Sequence, residues 1–427
     1  MIDELNKKFF KTAKNMNIET DRKIRQLEYM LRLGVDINCL EKYNEKSLLM
    51  VALENEDYGL AEWFLANEKA DVNLIDVEER TALFYVKDKE ICQKIINRGA
   101  EVNHRAFGNR TPLMMNNGVE VAEVLIKNGA LINARTKYKK WDLTENSYTY
   151  IEGGGNALMN AISNNDVKKI RLLLENGADI NAKNDAGENC LINGLRAGLE
   201  CDEEVVDWLE VQGLDIKDVD EKGNNALFYV RRNKKLANKL FEKGLDVWSK
   251  NICDDLAFME AIRLADVGVV EAFIENGIDV NHIDKKYGVT FLIWAIRRGR
   301  MDVANCLINN GADVNKMGKE SSALIEACQK QDSQMVKVLI EKGANVNACA
   351  KDGSNAIGVA VCYSDNEDVV KVLLENGANY KKKNNSGRSA WDLIMENFDK
   401  EKFAKISELI MDEEAKKTIS LKGAVKS

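Results

Sequence analysis

A chain of 427 residues would ordinarily divide into two or three domains, but a single proline and the lack of any Ser/Gly-rich or Pro-rich stretch leave no linker at which to divide it. Its 45% hydrophobic and 30% charged residues suit a soluble chain that forms a core, and a net charge of −8 argues against nucleic acid or an anionic membrane as partner. The opening MIDELNKKFF is too charged for a signal-peptide core, and no apolar run approaches the roughly 18 residues a spanning helix needs. Nine cysteines lie singly with no C-x-x-C pair, so reduced thiols and a cytoplasmic location are expected.

In chain order, DELNKKFFKTAKNM and TDRKIRQLEYMLRLGVDIN predict a first helix pair with a charged outer face, a cap over residues 1–38. From there one phrase, N-G-A-D-[VI]-N and its variants, recurs eleven times. Its glycine slot falls at Gly34, Lys69, Gly99, Gly129, Gly177, Gly213, Gly244, Gly277, Gly311, Gly343 and Gly377. Spacings run from 30 to 36 residues, apart from the 48 between Gly129 and Gly177. Seven or eight residues after the V-N or I-N a second phrase usually opens, as in TALFYV, TPLMMN, NALFYV and TFLIWA.

Residues 290–315 show the physics of one unit. The Thr290 hydroxyl is placed to cap a short helix whose Leu292, Ile293 and Ile296 share a stripe. Gly299 ends that helix, and Asp302 is expected to cap a second one, DVANCLINN. Gly311 then supplies the left-handed residue that closes it, and ADVN leads outward into a hairpin. One helix pair cannot bury its own apolar face, so neighbouring units must stack.

The 33-residue period, the T-P-L helix opening and the L-x-x-G-A-D-V-N close resemble the ankyrin repeat family from about Glu19 to Asp412. The resemblance implies an all-α repeat solenoid, a stack of about twelve helix-turn-helix units joined by β-hairpin loops. On this reading residues 39–381 are the repeats, 134–155 an extended hairpin insert, 382–412 a C-terminal capping pair and 413–427 a disordered tail. The family's His after T-P-L is absent from every copy, so its usual bonds between repeats must be missing. The units opening at Thr81, Thr111 and Asn225 are three to five residues short, which predicts trimmed helices with stacking preserved.

Little in the chain points to chemistry. His104 and His282 are isolated hairpin residues, and GGG at 153–155 lacks the G-K-[ST] of a phosphate loop and reads as a hinge. DVDEKGNNA lacks the ligands of a calcium loop, and Cys349 has no base beside it. No catalytic residue, metal or cofactor is assigned, and a non-catalytic protein is expected.

Binding is the better prospect. The resemblance implies that partners meet the concave surface made by first helices and hairpin tips. The eighth residue after each helix opening is Arg in four consecutive units, Arg196, Arg232, Arg263 and Arg297, with Arg231, Arg298 and Arg300 beside them. Such a strip either supports the repeats or grips the carboxylates of an acidic partner protein. Aromatic residues Tyr229, Trp294 and Trp248 lie close by and read as interface anchors. The insert adds 15 residues to one hairpin and carries Tyr138, Trp141, Tyr148 and Tyr150 as a finger at its rim. The expectation is a monomeric protein-protein interaction scaffold binding no nucleic acid and no membrane. The alternative is an enzyme inhibitor or exported effector that occludes a target.

Overall fold

The computed structural model describes residues 2–116, 118–137, 153–198, 203–363, 367–397 and 401–424. The chain forms two compact units, Met1–Tyr229 and Val230–Ser427, divided within the repeats and not at any linker. The division falls just after a repeat whose first helix is one 3-10 turn, Ala226–Phe228.

In the first unit the cap helices Ile2–Ala13 and Thr20–Arg32 precede the pairs Leu48–Glu54 with Tyr58–Ala66 and Ala157–Ser163 with Val167–Glu175. Between these pairs lie the shortened repeats: Ala82–Phe84 is a 3-10 turn and Pro112–Met115 a four-residue helix. The missing residues come from the first helix alone. Their second helices, Lys89–Asn97 and Val119–Lys127, keep the length of their neighbours. In these repeats Thr81 and Thr111 make no cap, and their buried hydroxyl oxygens have no hydrogen-bond partner among the described residues. Thr290 caps its first helix as expected, and Ser47, Asn156, Asn189 and Ser322 do the same in other full-length repeats, though Leu256 gives the Ala257–Leu264 helix no side-chain cap; each cap contributes about 1 kcal/mol.

The second unit follows the same plan, with Ala257–Leu264 and Val267–Glu275, Phe291–Arg297 and Met301–Asn309, and Ala323–Gln329 and Ser333–Glu341 in succession. In its core Phe258 meets Phe291 edge to face and Phe273 at a tilt, with ring centres 4.7 and 5.2 Å away. Asp302 does not cap the Met301–Asn309 helix; the cap position is Arg300, and Asp302 sits within the first turn holding the Arg300 guanidinium. The last helix, Glu401–Ala424, runs beyond Asp412, since EEAKKTISLK contains no helix breaker.

Where the family's histidine is missing, an asparagine ladder ties repeats together. Where an Asn stands four residues after a glycine slot, it donates its amide to the next repeat's slot carbonyl and accepts from a backbone N–H two residues on. Asn315 does this with the Gly343 carbonyl at 2.9 Å and the Asn345 nitrogen at 2.7 Å. Asn73, Asn103 and Asn281 repeat the pattern. The asparagine position holds Lys217 in the first unit and Trp248 and Lys381 in the second, and the Trp248 ring meets His282 at 4.8 Å instead.

Hairpins also link by backbone bonds, as from Val77 N to Asn44 O at 3.1 Å and Lys351 N to Glu320 O at 2.9 Å. At the base of the insert, Thr136 N donates to Gly155 O and Gly154 N to Thr136 O, both at 2.8 Å. Gly154 has φ of +80°, and a Cβ there would lie 2.6 Å from the Asp185 nitrogen. Gly154 is fitted closely against the next hairpin.

Candidate functional site

The slot arginines Arg196, Arg263 and Arg297 are held by carboxylates of the chain itself. In the first unit Arg196 ends the Cys190–Arg196 helix and its Nε lies 2.7 Å from Glu188, a buried carboxylate on its own hairpin. In the second unit Arg263 turns back one helical turn to Glu260, Nε to Oε2 at 3.0 Å. Arg297 reaches the next repeat, donating to Glu326 Oε1 at 2.6 Å, where the Ser321 hydroxyl also donates. These hydrogen bonds hold the Arg263 and Arg297 pKa values above the ordinary guanidinium range. Arg232 and Arg231 are exposed, the latter lending its carbonyl to Asp266 N at 2.8 Å. Arg300 is a clamp for the preceding repeat: it donates to the carbonyls of Ile262 at 3.1 Å and Ala265 at 2.7 Å, the end of the Ala257–Leu264 helix.

The aromatic residues read as exposed anchors do internal jobs. Trp294 is only 8% exposed, its Nε1 donating to Met259 O at 3.2 Å and its ring 4.8 Å from Tyr287. Tyr229 donates its hydroxyl to Asp220 Oδ2 at 2.5 Å, and Tyr85 does the same to Asp76. Both tyrosines follow a 3-10 turn, so the ring that a full helix would have carried away latches the repeat's own hairpin. Burial and the neighbouring carboxylate push both phenol pKa values well above 10. Trp248 packs on His282, which in turn lies 5.7 Å from Phe291.

One cation on this face is arranged differently. Arg298 is exposed, and its guanidinium carbon lies over the Trp294 ring, 4.1 Å from its centre. It lines a cavity of about 570 Å³ with Trp294, Arg297, Glu326, Gln329, Lys330 and Tyr363. An adjoining cavity of about 560 Å³ shares Arg297, Glu326, Gln329 and Tyr363 and extends to Asp352 and Arg388. The first unit has its own open groove of about 850 Å³ at the cap, lined by Lys7, Lys11, Lys14 and Lys42 together with Asp3 and Glu41. Among the described residues no three His, Cys, Asp or Glu side chains converge as metal ligands, and no helix is long and apolar enough to cross a membrane.

A family model described as ankyrin repeats (3 copies) matches residues 85–184, 230–318 and 315–384, more than half of the chain. The chain belongs to the ankyrin repeat family. Among curated proteins it is similar to the I-Kappa-B like protein C1 of Microplitis demolitor bracovirus (isolate Webb), at 32% identity over 85 residues. That match takes in 19% of this chain and 49% of the relative, so the chain spans about half the relative's length. Among solved structures it is similar to the crystal structure of the ankyrin repeat domain of Bcl-3, described as a unique member of the IkappaB protein family. The likeness is 22% identical, covers 52% of this chain and 98% of that one, and has a TM-score of 0.44.

Ankyrin repeats mediate protein–protein interaction. In the second unit Arg297, Arg298 and Trp294 line one cavity, while Arg231, Arg232, Arg263 and Trp248 are not among its lining residues. Tyr138, Trp141, Tyr148 and Tyr150 of the insert lie outside the described residues. Sequence reasoning missed Lys330 and Tyr363. Both stand one residue after the arginine slot of their repeats, as Arg298 does, so a one-residue shift in the column would have found them.

Proposed function

We propose that this ankyrin chain is a non-catalytic scaffold whose second unit binds an acidic segment of another protein on its first-helix face. The observation that carries the reading is the run of Arg232, Arg263 and Arg297 in one slot of successive repeats on a chain whose net charge is −8. A basic strip on an acidic protein steers acidic partners to one place. The internal carboxylates at Glu260 and Glu326 pre-orient the guanidinium groups, and each retains donors for a second carboxylate. The insert at residues 134–155 is a further contact in this reading, at the rim of the first unit.

Affinity capture with the full chain tests it, using Arg232→Glu with Arg263→Glu as the control bait. The double variant is expected to lose the partner that the wild type retains while keeping its thermal melt. Equal recovery by both baits contradicts the assignment. A second reading, that the chain acts by occluding its target, draws on the similarity to the I-Kappa-B like protein C1.

A further inference from the structure

The arginine slot is largely satisfied within the chain, and the residue after it is not. In three successive repeats of the second unit that next position holds Arg298, Lys330 and Tyr363, and all three line the same cavity of about 570 Å³. Neither Arg298 nor Lys330 makes an ion pair among the described residues. Glu326, the one carboxylate lining this cavity, is already met by Arg297 and by the Ser321 hydroxyl. The cavity therefore keeps two uncompensated positive charges.

We propose that Arg298, Lys330 and Tyr363 form the seat for a carboxylate-rich, extended segment of a partner protein. The inference rests on the reading of the second unit as an acidic-partner face and names where on it the partner sits. Charge complementarity argues the occupant. Arg298 is also pre-organised, because its guanidinium is stacked on Trp294, and Trp294 is fixed by its bond to Met259 O and its contact with Tyr287. A planar fork held in place loses little freedom when it takes a carboxylate. Tyr363 is 56% exposed and offers a phenol donor with an apolar ring beside it. Repeats stack about 10 Å apart and an extended chain rises about 3.3 Å per residue. Acidic residues about three apart in the partner would thus meet successive repeats.

Binding of fluorescein-labelled, N-acetylated decaglutamate to the full chain, read by anisotropy at roughly 50 mM salt where screening is weak, tests the seat. Wild type is expected to bind, and Arg298→Glu with Lys330→Glu to weaken binding at least about tenfold with an unchanged circular-dichroism melt. Arg232→Glu with Arg263→Glu should weaken it less. If Arg298→Glu disturbs the Trp294 stack and lowers the melt, Lys330→Glu alone, at an exposed position, should still weaken binding several-fold. Undiminished binding by the Arg298/Lys330 pair, with loss in the Arg232/Arg263 pair, overturns the seat while leaving the acidic-partner reading in place. Equal losses in both pairs point to diffuse attraction and overturn the seat as well. No binding by wild type overturns the acidic-partner reading and the seat with it.

Discussion

Lys169 is 1% exposed in the first unit, its ammonium donating to the carbonyl oxygen of Asn116. Burial lowers its pKa from 10.5 to about 8, with nearby Asp166 opposing the shift. Because the folded value lies below the unfolded one, the unfolded chain binds more protons between about pH 8 and 10.5, and stability rises with pH across that window. Below about pH 8 the penalty of burying the charge is fully present. Lys169→Met keeps the length of the side chain and removes the charge. It should raise stability by about 1–3 kcal/mol at pH 7, with the gain shrinking toward pH 10.5, as urea denaturation at the two pH values would show. A gain that does not change with pH would mean that the lysine has the same pKa in the folded and unfolded states.

Tyr229 carries a second argument at this scale. Tyr229→Phe removes the bond to Asp220 and should cost about 1–2 kcal/mol, since a buried charged acceptor loses one donor while Asn224 still serves it. Binding of an acidic partner should be unaffected. Reduced partner binding at unchanged stability would return this tyrosine to the interface.

The asparagine ladder gives a prediction at the scale of elements. Asn315→Ala deletes one donor to Gly343 O and one acceptor for Asn345 N, and should lower stability by about 1–2 kcal/mol. An unchanged denaturation midpoint would show that solvent replaces both bonds. Deleting residues 138–152 joins Lys137 to Gly153 above the Thr136–Gly154 backbone bond, the length of a two-residue hairpin loop. A single cooperative melt is expected to survive. Its loss would make the insert part of the structure.

Element lengths were legible in the sequence because glycine slots count residues directly, and a repeat three to five residues short had to lose a helical turn. Which helix lost it was not legible, nor that Tyr85 and Tyr229 would fill the gap. Asp302 misled because a first-turn Asp and an N-cap Asp look alike in sequence, and only the Arg300 clamp on Ile262 and Ala265 fixes the helix start. Arg98 shows another compensation without a pattern. Lys69 stands in a glycine slot, and the Arg98 guanidinium takes the Asn67 and Ala70 carbonyls at 3.0 and 3.2 Å.

For the molecule as a whole, a repeated sequence shows the shared architecture plainly and the binding column poorly. The arginine slot stood out by composition, yet Glu188, Glu260 and Glu326 engage its members. Those carboxylates come from a hairpin, from the same helix and from the next repeat, and no single spacing announces them. Lys330 and Tyr363 stand one column beyond the arginines, and what marks that column is Arg298 over Trp294 in the cavity they share. Two basic grooves then compete for an acidic partner: the one around Lys330 in the second unit and the one around Lys7, Lys11, Lys14 and Lys42 in the first.

Zero-length carbodiimide coupling of N-acetylated decaglutamate to the full chain, followed by peptide mapping, separates them directly, because it joins a carboxylate only to an amine it touches. The account predicts that Lys330 is the main linked residue and that Arg298→Glu reduces that link. Linkage concentrated on Lys7, Lys11, Lys14 or Lys42, with Lys330 unmodified, would contradict it.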